Sequence, residues 1–200
     1  MRAQLRIVSG SLRGRRVNFD ANPGLRPTPD MVREALFSIL GNAVPDRPFF
    51  DVFAGTGVIG LEALSRGASE TTFVERDVRL SEAIHQHAKT FGVLDRAIFT
   101  RADVYRWVER WDAPDEPVTV FLSPPFADLN NCPDVFLATV EKLRQKIATD
   151  SVLVLQLETS TAMEQLPDRE QWDERKYGRN YLLIWVKEGQ PAAEENTAPA

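Results

Sequence analysis

The stretch Asp51-Val52-Phe53-Ala54-Gly55-Thr56-Gly57-Val58-Ile59-Gly60 restricts the fold of this chain more than any other. An apolar run breaks into closely spaced glycines and then resumes with a helical apolar pattern, which reads as a strand, a tight turn and a helix start. Such a turn needs residues without a side chain, because the backbone takes unusual dihedrals and a ligand approaches it closely, while the helix N-terminus presents free N–H groups. A nucleotide-like cofactor belongs there. The glycines alone do not say which one, since Gly55-Thr56-Gly57-Val58-Ile59-Gly60 also fits the dinucleotide pattern G-x-G-x-x-G. Asp51 argues against a pyrophosphate. At roughly 5 Å and an effective dielectric of about 20, each unit of like charge costs on the order of 3 kcal/mol. An acid at this place suits a cofactor carrying a charged amino-acid moiety; the alternative is an acid paired with a core arginine.

The rest of the chain alternates. Apolar runs at 49–53, 71–75, 97–100, 118–122 and 152–157 are separated by helical stretches near 58–66, 79–91, 103–111 and 133–148. That is the pattern of an α/β fold with a parallel sheet covered by helices on both faces. Residues 4–8 and 15–19 can pair as a short hairpin around Gly10 and Gly14, and 26–30 lead into a helix reaching Leu40. Residues 171–177 and 181–187, joined through Gly178-Arg179-Asn180, read as a second hairpin, and the polar residues 189–200 read as a disordered tail. In an open parallel sheet the ligand lies beyond the carboxyl ends of the strands, at the point where strand order reverses. Asp51, Phe53 and the glycines follow the first core strand, Glu75 ends the second, Asp103 follows the third and Ser123 ends the fourth. Glu75 suits two ribose hydroxyls, which one carboxylate can accept together, and would serve NAD equally well. Asp103 fits an adenine amine, or an exposed helix N-cap.

Ser123-Pro124-Pro125-Phe126 is the second unusual strand end. Two prolines fix consecutive φ angles and remove two N–H donors, so the local carbonyls turn outward as acceptors and an aromatic ring is held nearby. This arrangement suits a flat base bearing an amino group, with the Phe126 ring stacked on it and Ser123 Oγ and a neighbouring carbonyl accepting from the amine.

Charge is unevenly placed. Residues 1–33 carry Arg2, Arg6, Arg13, Arg15, Arg16, Arg26 and Arg33 against Asp20 and Asp30, a net of +5, whereas the remainder carries −10 and the whole chain −5. A guanidinium fork grips phosphate bidentately and stacks on bases, so an arginine-only arm reads as RNA-facing, with a solvated terminus as the alternative. Two hundred residues with 43% apolar content suffice for one substantial core, and no stretch approaches the ~18 consecutive apolar residues of a membrane span. Cys132 is the single cysteine, which excludes an internal disulfide, and the N-terminus has no apolar signal region, so the expected location is cytoplasmic. His85 and His87 lie two apart on a predicted helix and cannot share a face, so no metal site is expected.

The glycine-rich motif followed by a Pro-Pro-aromatic loop resembles the class I S-adenosylmethionine-dependent methyltransferases that modify exocyclic amines. Arg6-Ile7-Val8-Ser9-Gly10, Leu12-Arg13-Gly14-Arg15-Arg16, Arg26-Pro27-Thr28, Val32-Arg33-Glu34-Ala35-Leu36-Phe37, Leu61-Glu62-Ala63-Leu64-Ser65-Arg66-Gly67-Ala68 and Phe73-Val74-Glu75 narrow the likeness. They resemble the RsmD-type enzymes, which methylate N2 of a guanine in small-subunit ribosomal RNA. The resemblance implies a Rossmann-like, seven-stranded, mostly parallel sheet with an antiparallel terminal hairpin. It also implies a basic RNA-facing extension over 1–44, a methyltransferase domain over 45–188, and a monomer that acts on ribosomal RNA or an assembling small subunit. It assigns S-adenosylmethionine to Asp51, Phe53, Gly55, Thr56, Gly57, Glu75 and Asp103, and the target base to Ser123, Pro124, Pro125 and Phe126. Ser123 departs from the Asp usual in that family, so hydrogen bonding to the amine is expected to be weaker. Two other readings stay open: a nicotinamide-dependent oxidoreductase, and an RNA-binding relative whose catalysis is weakened by Ser123.

Overall fold

The computed structural model describes residues 2–21, 25, 27–158 and 164–189. The core strands are β3 (Phe49–Val52), β4 (Thr71–Val74), β5 (Ala97–Thr100), β6 (Thr119–Leu122) and β7 (Val152–Glu158). Helices α2 (Val58–Ser65), α3 (Val78–Phe91), α4 (Val104–Arg110), α5 (Phe126–Asn131) and α6 (Pro133–Lys146) lie between them. With β8 (Asp173–Tyr177) and β9 (Asn180–Val186) they form a seven-stranded sheet in the order β5-β4-β3-β6-β7-β9-β8. Strands β3 to β7 run parallel, and β9 and β8 close the sheet antiparallel.

Strands β3, β4 and β6 are buried at every position, which explains their continuous apolar runs: helices cover both faces, so no alternation is required. Side-chain direction still alternates along each strand. Phe49, Phe73 and Phe121 point into one apolar cluster with Leu36 and Leu61, whereas Phe50, Val52, Val74 and Leu122 point into the other with Phe136 and Leu143. The first cluster also takes in the N-terminal hairpin, β1 (Arg2–Arg6) and β2 (Arg16–Asp20), through Ile7, Leu12 and Val17, and α1 (Asp30–Leu40) through Val32, Leu36, Phe37 and Leu40. The hairpin and α1 therefore share their apolar core with the sheet.

Strand order reverses between β3 and β6, so α2 and the segment after β6 leave from neighbouring strand ends. In register, Val52 lies beside both Val74 and Leu122. The residues that follow, Phe53, Glu75 and Ser123, thus emerge at one edge of the sheet. Among the described residues no helix is long and apolar enough to cross a membrane.

Candidate active site

At this edge the chain encloses a cavity of about 510 Å³. Its size falls within the roughly 300–1,000 Å³ of small-molecule sites. One part of its wall is the glycine loop. Phe53, Gly55 and Gly57 take φ of 63°, 55° and 71°, so three left-handed residues within five turn the chain from β3 into α2. Gly57 has a second reason to be glycine, since a Cβ there would lie 2.7 Å from Ile84 Cγ1. Phe53 carries the strain that a side chain brings to this region, and its ring meets the Tyr105 ring edge-on at 5.6 Å.

Two carboxylates hold the loop. Asp51 is 1% exposed, and its Oδ2 accepts from Gly60 N at 2.9 Å, in the first turn of α2. The core arginine considered from the sequence does not pair with it; its ion-pair partner among the described residues is absent, and a backbone N–H takes the carboxylate instead. Desolvation pushes its carboxyl up to about 8, with Glu75 adding to the rise and the Gly60 hydrogen bond opposing it. Glu75 Oε2 accepts from Gly55 N and Oε1 from Asp77 N, both at 2.8 Å. Each oxygen keeps a lone pair for a further donor, as a ribose diol would require. Gly55, Thr56, Glu75, Asp77 and Leu80 line this half of the cavity.

The other half is the loop after β6. Ser123, Pro124, Pro125 and Phe126 all line it, and Phe126, a residue 43% exposed, opens α5. Among the described residues no side chain bonds to Ser123 Oγ. Tyr105 joins the two halves: its ring rests on Phe53 while its hydroxyl donates to Asp128 Oδ2 at 2.8 Å, on α5. Burial and the Asp128 carboxylate raise the Tyr105 pKa, which keeps this donor protonated.

Not every residue singled out from the sequence reaches the cavity. Asp103 caps α4, accepting from Arg106 N at 3.2 Å, and lies 3.9 Å from Arg76 Nη1; its neighbours Ala102 and Val104 line the wall. Arg33 is a correction. Its side chain is fully buried, donating to Thr28 O and Arg6 O at 2.7 Å and to Asp30 Oδ1 at 2.9 Å, so it braces the fold rather than facing RNA. Arg6, Arg13, Arg15 and Arg16 are exposed, with Arg15 also lying over the Phe91 ring. Arg26, the Arg2 side chain and the tail from 190 lie outside the described residues. Of the histidines, His85 leans on the Phe99 ring and His87 Nε2 bonds Asn18 O at 2.9 Å, tying α3 to β2.

Four groups important to the site were missed in the sequence. Thr28, Gln156 and Asn180 form a polar wall beside the Ser123 loop. Gln156 had a readable signal, as a polar residue inside the apolar run 152–157. Glu62, fully buried on α2, accepts from Val8 N at 2.7 Å and from Ser9 N and Arg66 Nε at 2.9 Å, so it anchors the N-terminal hairpin.

The site can be set beside known proteins. A solved structure described as putative methyltransferase yhhF from Escherichia coli superposes with a TM-score of 0.75 at 29% identity, over 94% of this chain and all of that one. An RNA methyltransferase from Salinibacter ruber, solved with S-adenosyl-L-homocysteine, shares the fold at a TM-score of 0.59 and 18% identity, over 84% of this chain and 98% of that one. In sequence, ribosomal RNA small subunit methyltransferase D of Escherichia coli K12 is 37% identical over 62% of this chain, and the match spans only 61% of that relative's length. The putative rRNA methyltransferase YlbH of Bacillus subtilis is 28% identical over 92% of this chain and its own whole length. The family described as Conserved hypothetical protein 95 matches residues 5–186, and the chain therefore belongs to this family, that of the RsmD-type methyltransferases.

Proposed function

We propose that the protein transfers a methyl group from S-adenosylmethionine to the exocyclic N2 of a guanine in small-subunit ribosomal RNA. The observation that carries this reading is that the glycine loop and the Ser123-Pro124-Pro125-Phe126 loop open into one cavity from adjacent strand ends. A dinucleotide enzyme has no evident use for the second loop. The names of the relatives from Escherichia coli and Bacillus subtilis point the same way.

The residues fit the cofactor. Glu75 retains acceptor capacity for a ribose diol, Gly55 leaves room for close approach, and the wall at Ala102 and Val104 is apolar enough for an adenine. Asp51 lies buried beneath the loop, where a cation would offset its desolvation. When bound, S-adenosylmethionine supplies a methyl group already activated by its sulfonium. The chain's own part is therefore alignment, which can supply about 7–11 kcal/mol of a barrier. Ser123 Oγ and the Pro124 carbonyl would accept from the amine and aim its nitrogen, while the Phe126 ring stacks on the base. The amine proton leaves after transfer, so no strongly basic side chain is needed.

A base inside a stack cannot reach this cavity and must be extruded. Residues 1–44 act in this reading as the extension that grips surrounding phosphates through Arg6, Arg13, Arg15 and Arg16, and 45–188 as the transferring unit. Assembly of small subunits implies a cytoplasmic location.

The test uses in vitro transcribed small-subunit RNA, free and in reconstituted particles, with methyl-labelled S-adenosylmethionine and nucleoside mass spectrometry. N2-methylguanosine is expected, together with calorimetric binding of S-adenosylmethionine that Glu75→Ala abolishes. Binding of NADH in place of S-adenosylmethionine would overturn the reading. Ser123 supports a second possibility, a weakened RNA-binding relative, and Ser123→Asp separates the two. Activity that emerges only in that variant would locate the defect in the hydroxyl.

A further inference from the structure

We propose that Asn180 reads the O6 edge of the target base, and that Gln156 and Thr28 fix the amide that does so. The proposal rests on the guanine reading above. Gln156 is only 7% exposed within a strand of valines and leucines. A buried amide there is costly unless both ends are bonded. Both are: Oε1 accepts from Thr28 Oγ1 at 2.6 Å, and Nε2 donates to Asn180 Oδ1 at 3.1 Å. Thr28 is itself braced, because its carbonyl accepts from the buried Arg33 at 2.7 Å. The relay ends at Asn180, the first residue of β9, on the cavity wall. Among the described residues none takes up Asn180 Nδ2. A chain of buried and part-buried bonds thus delivers one amide, with its oxygen engaged and its N–H₂ left over, to the cavity.

Its position matches a purine. Leu122 of β6 pairs with Leu155 of β7, so Ser123 comes level with Gln156, while Asn180, on the next strand over, pairs with Glu158, two residues farther out. Two strand spacings across and two residues along combine to about 12 Å between the backbones of Ser123 and Asn180, a gap that a purine edge with a hydrogen bond at either end bridges once both side chains reach inward. The glycine loop lies on the opposite side of Ser123, over β3 and β4. A guanine whose N2 meets Ser123 therefore turns the far end of the same edge, O6, toward the Asn180 amide. Adenine presents an N–H₂ at that place, donor against donor, and 2-aminopurine presents nothing.

The deciding experiment maps the methylated guanine by mass spectrometry and rebuilds the RNA by splinted ligation with guanine or 2-aminopurine at that position. Both bases carry the reacting amine, but only guanine has O6. Wild-type protein is expected to prefer guanine by about tenfold or more in kcat/KM, since a site built for an acceptor rejects the analogue that lacks it. Asn180→Ala and Asn180→Asp are expected to bring the ratio close to one, chiefly by losing activity on guanine, with S-adenosylhomocysteine affinity unchanged. Thr28→Val is expected to lower the ratio partway, by freeing the Gln156 amide. An undiminished preference in folded, cofactor-binding Asn180 variants overturns the assignment while leaving guanine methylation standing. Methylation that maps to another base removes the guanine reading, and this proposal with it.

Discussion

Asp51 shows how one residue can bias a binding equilibrium before any ligand arrives. Its carboxyl is raised to about 8 by desolvation, so the folded protein holds this proton more tightly than the unfolded chain does. The group's contribution is therefore most favourable below about pH 4, declines as pH rises toward 8 and is level above that. A cation placed beside it reverses the balance by favouring the ionised form. Binding of S-adenosylmethionine near pH 7 is then expected to release a proton, which calorimetry detects as an enthalpy that varies with the ionisation enthalpy of the buffer. Asp51→Asn keeps an acceptor for Gly60 N, and is expected to remove the buffer dependence, raise the Tm of the unliganded protein at pH 8 and weaken cofactor binding. A buffer-independent enthalpy in the wild type would refute this. At this scale the sequence was informative where backbone geometry constrains residue type, as at Gly55, Gly57 and the Pro124-Pro125 pair. It misled where only charge was read: Arg33 looks like its neighbours, and nothing local reveals that three oxygens surround it.

Among the elements, α2 and the N-terminal hairpin are the pair on which the site depends. Gly10 has φ 81°, and a Cβ there would lie 1.9 Å from the Ser65 carbonyl oxygen, so the hairpin seats directly on the end of α2. Ser65 Oγ and both Glu62 oxygens complete the seat by bonding Ser9 O, Leu12 N, Val8 N and Ser9 N. Gly10→Ala is expected to unseat the hairpin: RNA affinity should fall about tenfold or more in filter binding, while S-adenosylmethionine affinity changes less than twofold. Equal losses in both would mean that the hairpin is needed for the core to fold. The strand and helix positions were legible to within about two residues, because hydrophobic period and turn residues agree along most of the chain. Helix α5 was not: it has six residues, begins at Phe126 with Pro125 as its N-cap and buries only Leu129, too short a run for periodicity to register.

Across the whole molecule the charges are segregated, with exposed arginines on the hairpin and an acidic remainder. Phosphate contacts make binding depend on salt, and each lost contact reduces the logarithmic slope by roughly one. Arg13→Ala is expected to reduce that slope by about one unit with Tm unchanged. Arg33→Ala is expected to lower Tm without such a change at temperatures where it stays folded, and a reduced slope there would return Arg33 to the RNA surface. The same α2 whose first turn shapes the cofactor loop carries the hairpin's seat at its last. Eight residues of helix span about 12 Å, and a helix neither stretches nor bends readily over that length. On the function proposed above it would work as a caliper: one jaw the reacting centre, the other the phosphate grip, with the gap between them fixed. An RNA would then be accepted for the distance between an extruded base and the backbone beside it, which is a property of folded shape. Lengthening α2 by one turn would be expected to move methylation to a different nucleotide rather than simply to weaken it.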